Sequence, residues 1–192
     1  LISFFQHLDQ QAFLIINQSL RNPVFDFIMP CLRDKYFWIP LYALLVVCVI
    51  VKYRWHGMIV MILAALTVVL TDQLASSVIK PWVQRLRPCN DALFSPQVHL
   101  LVDCGPGFSF VSSHAANHFG LAVFLIFLFG RQWNWFAPAA LVWAASVAFA
   151  QVYVGLHYPF DAAAGALLGA AIGFFTGRVC LYALRRYGYR AT

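Results

Sequence analysis

The sequence predicts an all-α protein: a polytopic transmembrane helical bundle of about five spans, preceded by N-terminal interfacial helices. Composition is the first ground. Hydrophobic residues make up 62% of the 192, charged residues only 10%, and glutamate is absent. A soluble domain carries about 25% charged residues, so this surface is too apolar to be wetted throughout. The mean hydropathy of +0.74 agrees. Segmentation is the second ground. Five apolar stretches, roughly 37–53, 58–79, 115–131, 135–155 and 159–182, approach the length that crosses a bilayer. The third ground is the placing of charge, because basic residues fall mostly between these stretches and at the C-terminus. The net charge of +6 is therefore read as topology, and no nucleic-acid partner is expected.

Residues 1–36 read as a segment apart from the transmembrane domain at 37–192. Phe4, Phe5, Leu8, Phe13, Leu14 and Ile15 alternate with Gln, Asp, His and Asn, and Pro23 and Pro30 interrupt. One or two amphipathic helices in the interface fit this pattern, and a sixth, poorly hydrophobic span is the alternative. The first Lys or Arg is Arg21, so the start lacks the basic region of a cleavable signal peptide. Lys52–His56, the polar segment 80–113, Gly130–Asn134 and Gly155–Pro159 separate the spans. In the last span, Gly165, Gly169 and Gly173 form a small-xxx-small stripe that lets helices approach closely.

Placing the 52–57 and 131–134 loops and the C-terminus inside collects Lys52, Arg54, Arg131, Arg185, Arg186 and Arg190 there. The outer side then holds the N-terminus, the 80–113 loop and the 155–159 turn. It also carries Arg21, Arg33, Lys35, Lys80, Arg85 and Arg87, so the last three need another explanation. Of five cysteines, Cys48 and Cys180 sit in apolar runs and Cys31 carries no motif. Cys89 and Cys104 bracket much of the polar loop. They form a disulfide if that loop faces an oxidising compartment, and otherwise remain two thiols. No Cys/His cluster has metal-ligand spacing.

Three segments carry chemistry: Lys80-Pro-Trp-Val-Gln-Arg-Leu-Arg87-Pro88, Phe110-Val-Ser112-Ser113-His114, and Gln151 through His157 to Asp161. Topology puts all three on one side. Lys80 and Arg87 offer a point charge and a fork for phosphate oxygens. Ser112 and Ser113 precede a helix, whose N-terminus cradles anions. His114 and His157 supply an acid and a nucleophile near neutrality. Asp161, one helical turn after His157, can hold one ring nitrogen protonated. Each feature has a bland reading: Ser-Ser-His as a helix cap, the basic pair as a snorkelling anchor. Their order, spacing and common side carry the information. His118 and Asn117, a turn after His114, are possible pocket residues or helix-packing residues. Asp72, within the second span, reads as a helix-bundle hydrogen-bond partner.

The pattern resembles the type 2 phosphatidic acid phosphatase (PAP2) superfamily, with its K-x6-RP, PSGH and SR-x5-H-x3-D motifs. Lys80 to Arg87-Pro88 matches the first motif. Ser112 and His114 match the second, with Val111 for Pro and Ser113 for Gly. His157 and Asp161 match the third, with Ala150 and Gln151 for Ser and Arg. The resemblance implies His157 as a nucleophile forming a phosphohistidine, Asp161 as its orienter and His114 as the acid. It implies Lys80, Arg87, Ser112, Ser113 and Gln151 around the phosphate, no metal and no other cofactor. Gln151 brings a hydrogen bond without charge, and Arg85 is the candidate to compensate.

The implied activity is removal of phosphate from a phosphorylated lipid in the bilayer, at the outer face of a bacterial inner membrane. Compactness leans the substrate toward undecaprenyl diphosphate. Phosphatidylglycerophosphate, phosphatidate and lipid A are the alternatives. A lipid phosphotransferase, a non-catalytic phospholipid binder and a transporter are the competing classes, and no internal repeat favours the last. The oligomeric state has no signal in the sequence.

Overall fold

The computed structural model describes residues 2–189, with side chains from residue 4, so Arg190 lies outside the described residues. Every regular element among them is helical. α1 (Ile2–Leu14) continues into a π-helical turn, Ile15–Ser19. α2 (Pro23–Arg33) starts on Asn22, whose side chain accepts the Phe25 N–H, and carries Pro at its first turn.

Three helical stretches are long and apolar enough to cross a membrane: Ile39–Asn90, Phe136–Tyr153 and Pro159–Arg186. The first folds into two long helices followed by a short one. α3 (Ile39–Tyr53) stops at Arg54, whose φ of 54° turns the chain. α4 (Gly57–Gln73) then runs back against α3. A Cβ at Gly57 would lie 3.4 Å from Val49, and Val49 and Val60 share one apolar cluster. α4 continues through a π-helical segment, Leu74–Ile79, into the short α5 (Lys80–Val83). Helix thus passes the expected end at 79, with Pro81 in the first turn of α5 directly after the π-helical segment. Gln84, with φ of 54°, ends it.

α6 (Ser113–Phe129) has 17 residues and rises about 26 Å, short for a lone span. It is the central helix, with Ala115, Ala116, Gly120, Ala122 and Phe124 buried. α7 (Phe136–Tyr153) and α8 (Pro159–Arg186) flank it. α8 runs past the expected 182 to Arg185 and Arg186, cations that favour a helix C-terminus. Together these are the five apolar helices of a polytopic bundle. Leu44, Ile50, Ile62, Leu167 and Phe175 remain exposed, as lipid-facing positions require.

The tightest packing joins α6 to α8. A Cβ at Gly165 would collide with the Ser112 carbonyl, one at Gly169 with that of Ala116, and one at Gly173 with that of Gly120. Without side chains here, the backbones touch along several turns. Polar contacts pin α4 to the same pair. The Thr67 and Thr176 hydroxyls lie 2.8 Å apart, and Thr71 donates to Asn117 Oδ1 at 2.6 Å.

α1 and α2 pack at the end where α4 and α7 finish and α6 and α8 begin. Phe13 is fully buried against Phe94 and Tyr158. Asn17 is also fully buried and donates to the carbonyls of His99 and Tyr153 at 2.8 and 2.7 Å, while its own oxygen takes the His99 N–H. Met29 and Leu32 of α2 join Ala150 and Tyr153 of α7 in one apolar cluster.

Candidate active site

The antiparallel order of the helices brings the three motifs to one end. Ser112 caps α6, accepting the Ala115 N–H at 3.4 Å, and its own N–H donates to the Asp161 carbonyl at 3.0 Å. That bond fastens the second motif to the third. Ser113 lies 3.0 Å from the Ser76 hydroxyl, which ties the α6 N-terminus to the end of α4. The His157 N–H donates to the Gln151 carbonyl at 3.2 Å, so the turn between α7 and α8 closes on itself.

His157 is 3% exposed and Asp161 fully buried. Nδ1 of His157 faces Oδ2 of Asp161 at 3.8 Å, a contact longer than a hydrogen bond. Burial holds the His157 imidazole below the ordinary histidine range. Asp161 opposes this, while Lys80 and Arg87 push the same way as burial. The environment therefore favours the neutral form of the ring.

Asp161 is held from two sides. Oδ2 accepts the Tyr158 N–H at 2.8 Å, and Oδ1 accepts Nη1 of Arg85 at 2.7 Å. Arg85 lies over the Tyr158 ring, 4.0 Å from its centroid, and its Nη2 donates to Asp9 at 2.7 Å. Asp9 is 1% exposed and its other oxygen accepts the Phe160 N–H at 2.8 Å. Burial pushes the Tyr158 phenol up to about 12, so it stays neutral beneath the guanidinium.

The cations come from the polar loop and the end of α4. Cys89 and Cys104 are joined by a disulfide with Cα atoms 6.0 Å apart. Nη1 of Arg87 donates to the Cys104 carbonyl at 2.6 Å, so the bridge fixes the arginine that precedes it. Ser109 bonds the Arg85 and Leu86 carbonyls and closes the loop base. Lys80 lies within electrostatic reach of Arg87 and Asp161, and His114 within reach of His157 and Lys80. Among the described residues no group of three His, Cys, Asp or Glu side chains gathers as a metal-ligand set.

The PAP2 superfamily model matches residues 61–185, which contain all three motifs. The chain belongs to the PAP2 superfamily. A lipid A 4'-phosphatase from Bacteroides thetaiotaomicron is 36% identical over 91% of this chain and 77% of its own length. An undecaprenyl-diphosphatase from Sulfolobus acidocaldarius is 32% identical over 76% of this chain and 64% of its own. The crystal structure of a transmembrane PAP2 type phosphatidylglycerolphosphate phosphatase from Bacillus subtilis superposes with a TM-score of 0.70. It covers 95% of this chain and 89% of that one at 22% identity, so the fold is shared. This PAP2 chain is a membrane lipid phosphatase, a hydrolase of phosphoric esters.

The site differs from the sequence reading at its edges. Arg85 is not available to stand in for a missing phosphate charge, because both terminal nitrogens are bonded to carboxylates. Asn117 turns away to Thr71 and Asp72, and Asp72 thereby finds its partner on α6 at 3.4 Å. His118 faces Trp143 and Tyr42, with Nδ1 2.8 Å from the His114 carbonyl. Asp9 was not legible as a site residue. Its signal was a carboxylate on an otherwise apolar helix face, next to Leu8 and one turn before Phe13. Two cavities of about 580 and 770 Å³ lie at the other end of the bundle, beside Arg131 and Arg185, and contain none of these residues.

Proposed function

We propose that the protein removes phosphate from a membrane lipid at the outer face of a bacterial inner membrane, by way of a phosphohistidine on His157. The observation that carries this is a buried His157 whose Nδ1 faces an Asp161 held by Arg85 and Tyr158, with two cations, Lys80 and Arg87, within reach. The free ring nitrogen attacks phosphorus as the lipid P–O bond breaks, and His114 passes its proton to the leaving oxygen. Water then attacks the phosphohistidine, giving its proton to His114, and the P–N bond breaks to release phosphate. Lys80, Arg87 and the α6 N-terminus stabilise charge on the transferring group, the largest demand of phosphoryl transfer.

The outward placing rests on two features. The Cys89–Cys104 bridge lies at the site end, and disulfides persist in oxidising compartments. Lys52, Arg54, Arg131, Arg185 and Arg186 lie toward the opposite end, as inside positions do.

For the substrate, the likeness to a lipid A 4'-phosphatase spans more of this chain, at higher identity, than the likeness to an undecaprenyl-diphosphatase. We therefore place a lipid A phosphomonoester ahead of undecaprenyl diphosphate, reversing the lean from compactness. The second reading keeps its support from the relative of that name.

The test is phosphate release in detergent with EDTA, from lipid A, undecaprenyl diphosphate, phosphatidylglycerophosphate and phosphatidate, for wild type and His157→Ala. Release from lipid A by wild type alone is expected. Release that needs added metal would overturn the mechanism, and no release from any lipid would point to a binder or a phosphotransferase.

A further inference from the structure

Arg33 ends α2 and belongs to none of the three motifs. Its Nε is buried without a hydrogen-bond partner, and no ion pair among the described residues includes it. The adjacent carboxylate, Asp34, instead accepts the Tyr36 N–H. Yet the charge of Arg33 reaches both Arg87 and His114. Those two belong to different motifs, so α2 brings a cation to the point where the motifs meet.

The atoms around that point share one property. Nε of Arg87 and both amide atoms of Gln151 are buried without a hydrogen-bond partner, like Nε of Arg33. Buried polar groups normally find partners, so such a cluster marks the place of an absent one. The charges identify its sign. Arg87 stands within reach of Lys80 on one side and Arg33 on the other, and like charges held out of water are costly until an anion joins them. Packing explains why Arg33 arrives there. Met29 and Leu32, on the same helical turns, are clustered with Ala150, the residue before Gln151. Gln151 itself is fully buried and carries no charge.

We propose that Arg33 is a phosphate-binding residue that completes a three-cation cradle with Lys80 and Arg87, supplying from α2 the charge that Gln151 on α7 lacks. The proposal rests on the phosphatase reading of this site. Two guanidiniums and one ammonium facing a dianion offer forked hydrogen bonds from two directions, which holds the phosphate for in-line attack by His157.

The test uses the full chain in detergent, with Arg33→Gln, Arg33→Lys and the double variant Arg33→Gln/Gln151→Arg. Orthovanadate is the probe for the cradle, and lipid phosphate release reads turnover. Arg33→Gln is expected to lower kcat/KM about 10- to 100-fold and to weaken orthovanadate inhibition by a similar factor, the contribution of a charge-assisted contact. Arg33→Lys falls between, because it keeps the charge and loses the fork. The double variant regains about tenfold over the single one, since the charge returns from the other side. Unchanged kcat/KM and unchanged orthovanadate inhibition in Arg33→Gln would overturn the proposal. So would a loss that appears only as a lowered Tm, with inhibition intact. Thermal stabilisation by orthovanadate separates this result from the parent reading. If wild type hydrolyses no lipid but is stabilised, and Arg33→Gln is not, the cradle stands while the hydrolase reading fails. If neither protein is stabilised or inhibited, the cradle fails.

Discussion

Arg85 grips Asp161 through a 2.7 Å contact between Nη1 and Oδ1, which leaves Oδ2 to Tyr158 and His157. The grip is itself anchored, because Nη2 of the same guanidinium meets Asp9 at 2.7 Å. Asp9 also accepts the Phe160 N–H and so ties α1 to the first turn of α8. A chain of three side chains thus runs from the N-terminal helix to His157, the proposed nucleophile, and Asp9 reaches His157 only through Asp161.

Asp9→Asn keeps an acceptor for Phe160 but removes the charge that fixes Arg85. We expect kcat to fall about 10- to 100-fold from misplacement of Asp161, with KM little changed, because no phosphate contact is lost. Arg85→Ala should act through the same chain, so the double variant should lose less than the sum of the singles. Strict additivity in this cycle would sink the idea. Asp9→Ala also strands a buried partner and should cost about 3 kcal/mol of stability.

The state of His157 predicts the acid limb of the pH profile. Burial, aided by Lys80 and Arg87 and opposed by Asp161, holds its folded-state pKa below the ordinary 6.5. Its protonation should therefore cut kcat/KM only below pH 6.5. The linkage has the same sign. Below 6.5 the unfolded chain binds a proton that the folded one refuses, so this contribution to stability is present above 6.5 and lost as pH falls through the folded value. A limb assigned to His157 that lies above 6.5 would contradict the burial argument.

Reduction of the Cys89–Cys104 bridge should weaken substrate binding before it unfolds the bundle. The Cys104 carbonyl positions Arg87, and the loop between the cysteines has 15 residues of sequence separation. Losing a bridge of that span removes about 3 kcal/mol in the chain-entropy account. A Cys89→Ser/Cys104→Ser variant is expected to show a higher KM and a lower Tm, and dithiothreitol should reproduce both in wild type. A KM that does not move would mean that Arg87 keeps its place without the bridge.

What the sequence made legible was local. Lys80 and Arg87 are seven residues apart, and His157 and Asp161 are four apart, so spacing alone flagged them. The apolar runs marked α3, α4, α6, α7 and α8, because a span must bury a whole helix length in hydrocarbon. The chain from Asp9 to Arg85 crosses 76 positions, and that from Arg85 to Asp161 another 76. No periodicity records such a contact. Arg33 did leave a trace: it stood on the outer side against the charge bias, beside residues that the motifs went on to explain. The same distance hid the fate of Arg85, whose exposure to phosphate depended on carboxylates from two other helices.

The glycine stripe links the fold to the site, and graded substitutions should separate packing from chemistry. At Gly177 a Cβ would meet the Phe127 ring at 2.7 Å, and a side chain can swing aside. At Gly169 it would meet the Ala116 backbone, which two packed helices hold in place. Gly177→Ala should therefore be mild, while Gly169→Ala should lower stability by about 1–3 kcal/mol, the usual cost of overpacking. Gly165 differs again, because its neighbour is the carbonyl of Ser112, whose N–H is bonded to the Asp161 carbonyl. Pushing α6 away there would separate the Ser112 end of α6 from the proposed nucleophile. Gly165→Ala should thus lose more activity for each degree of Tm than Gly169→Ala, measured as phosphate release against thermal unfolding in the same detergent. Equal ratios for the two variants would mean that the stripe serves packing alone.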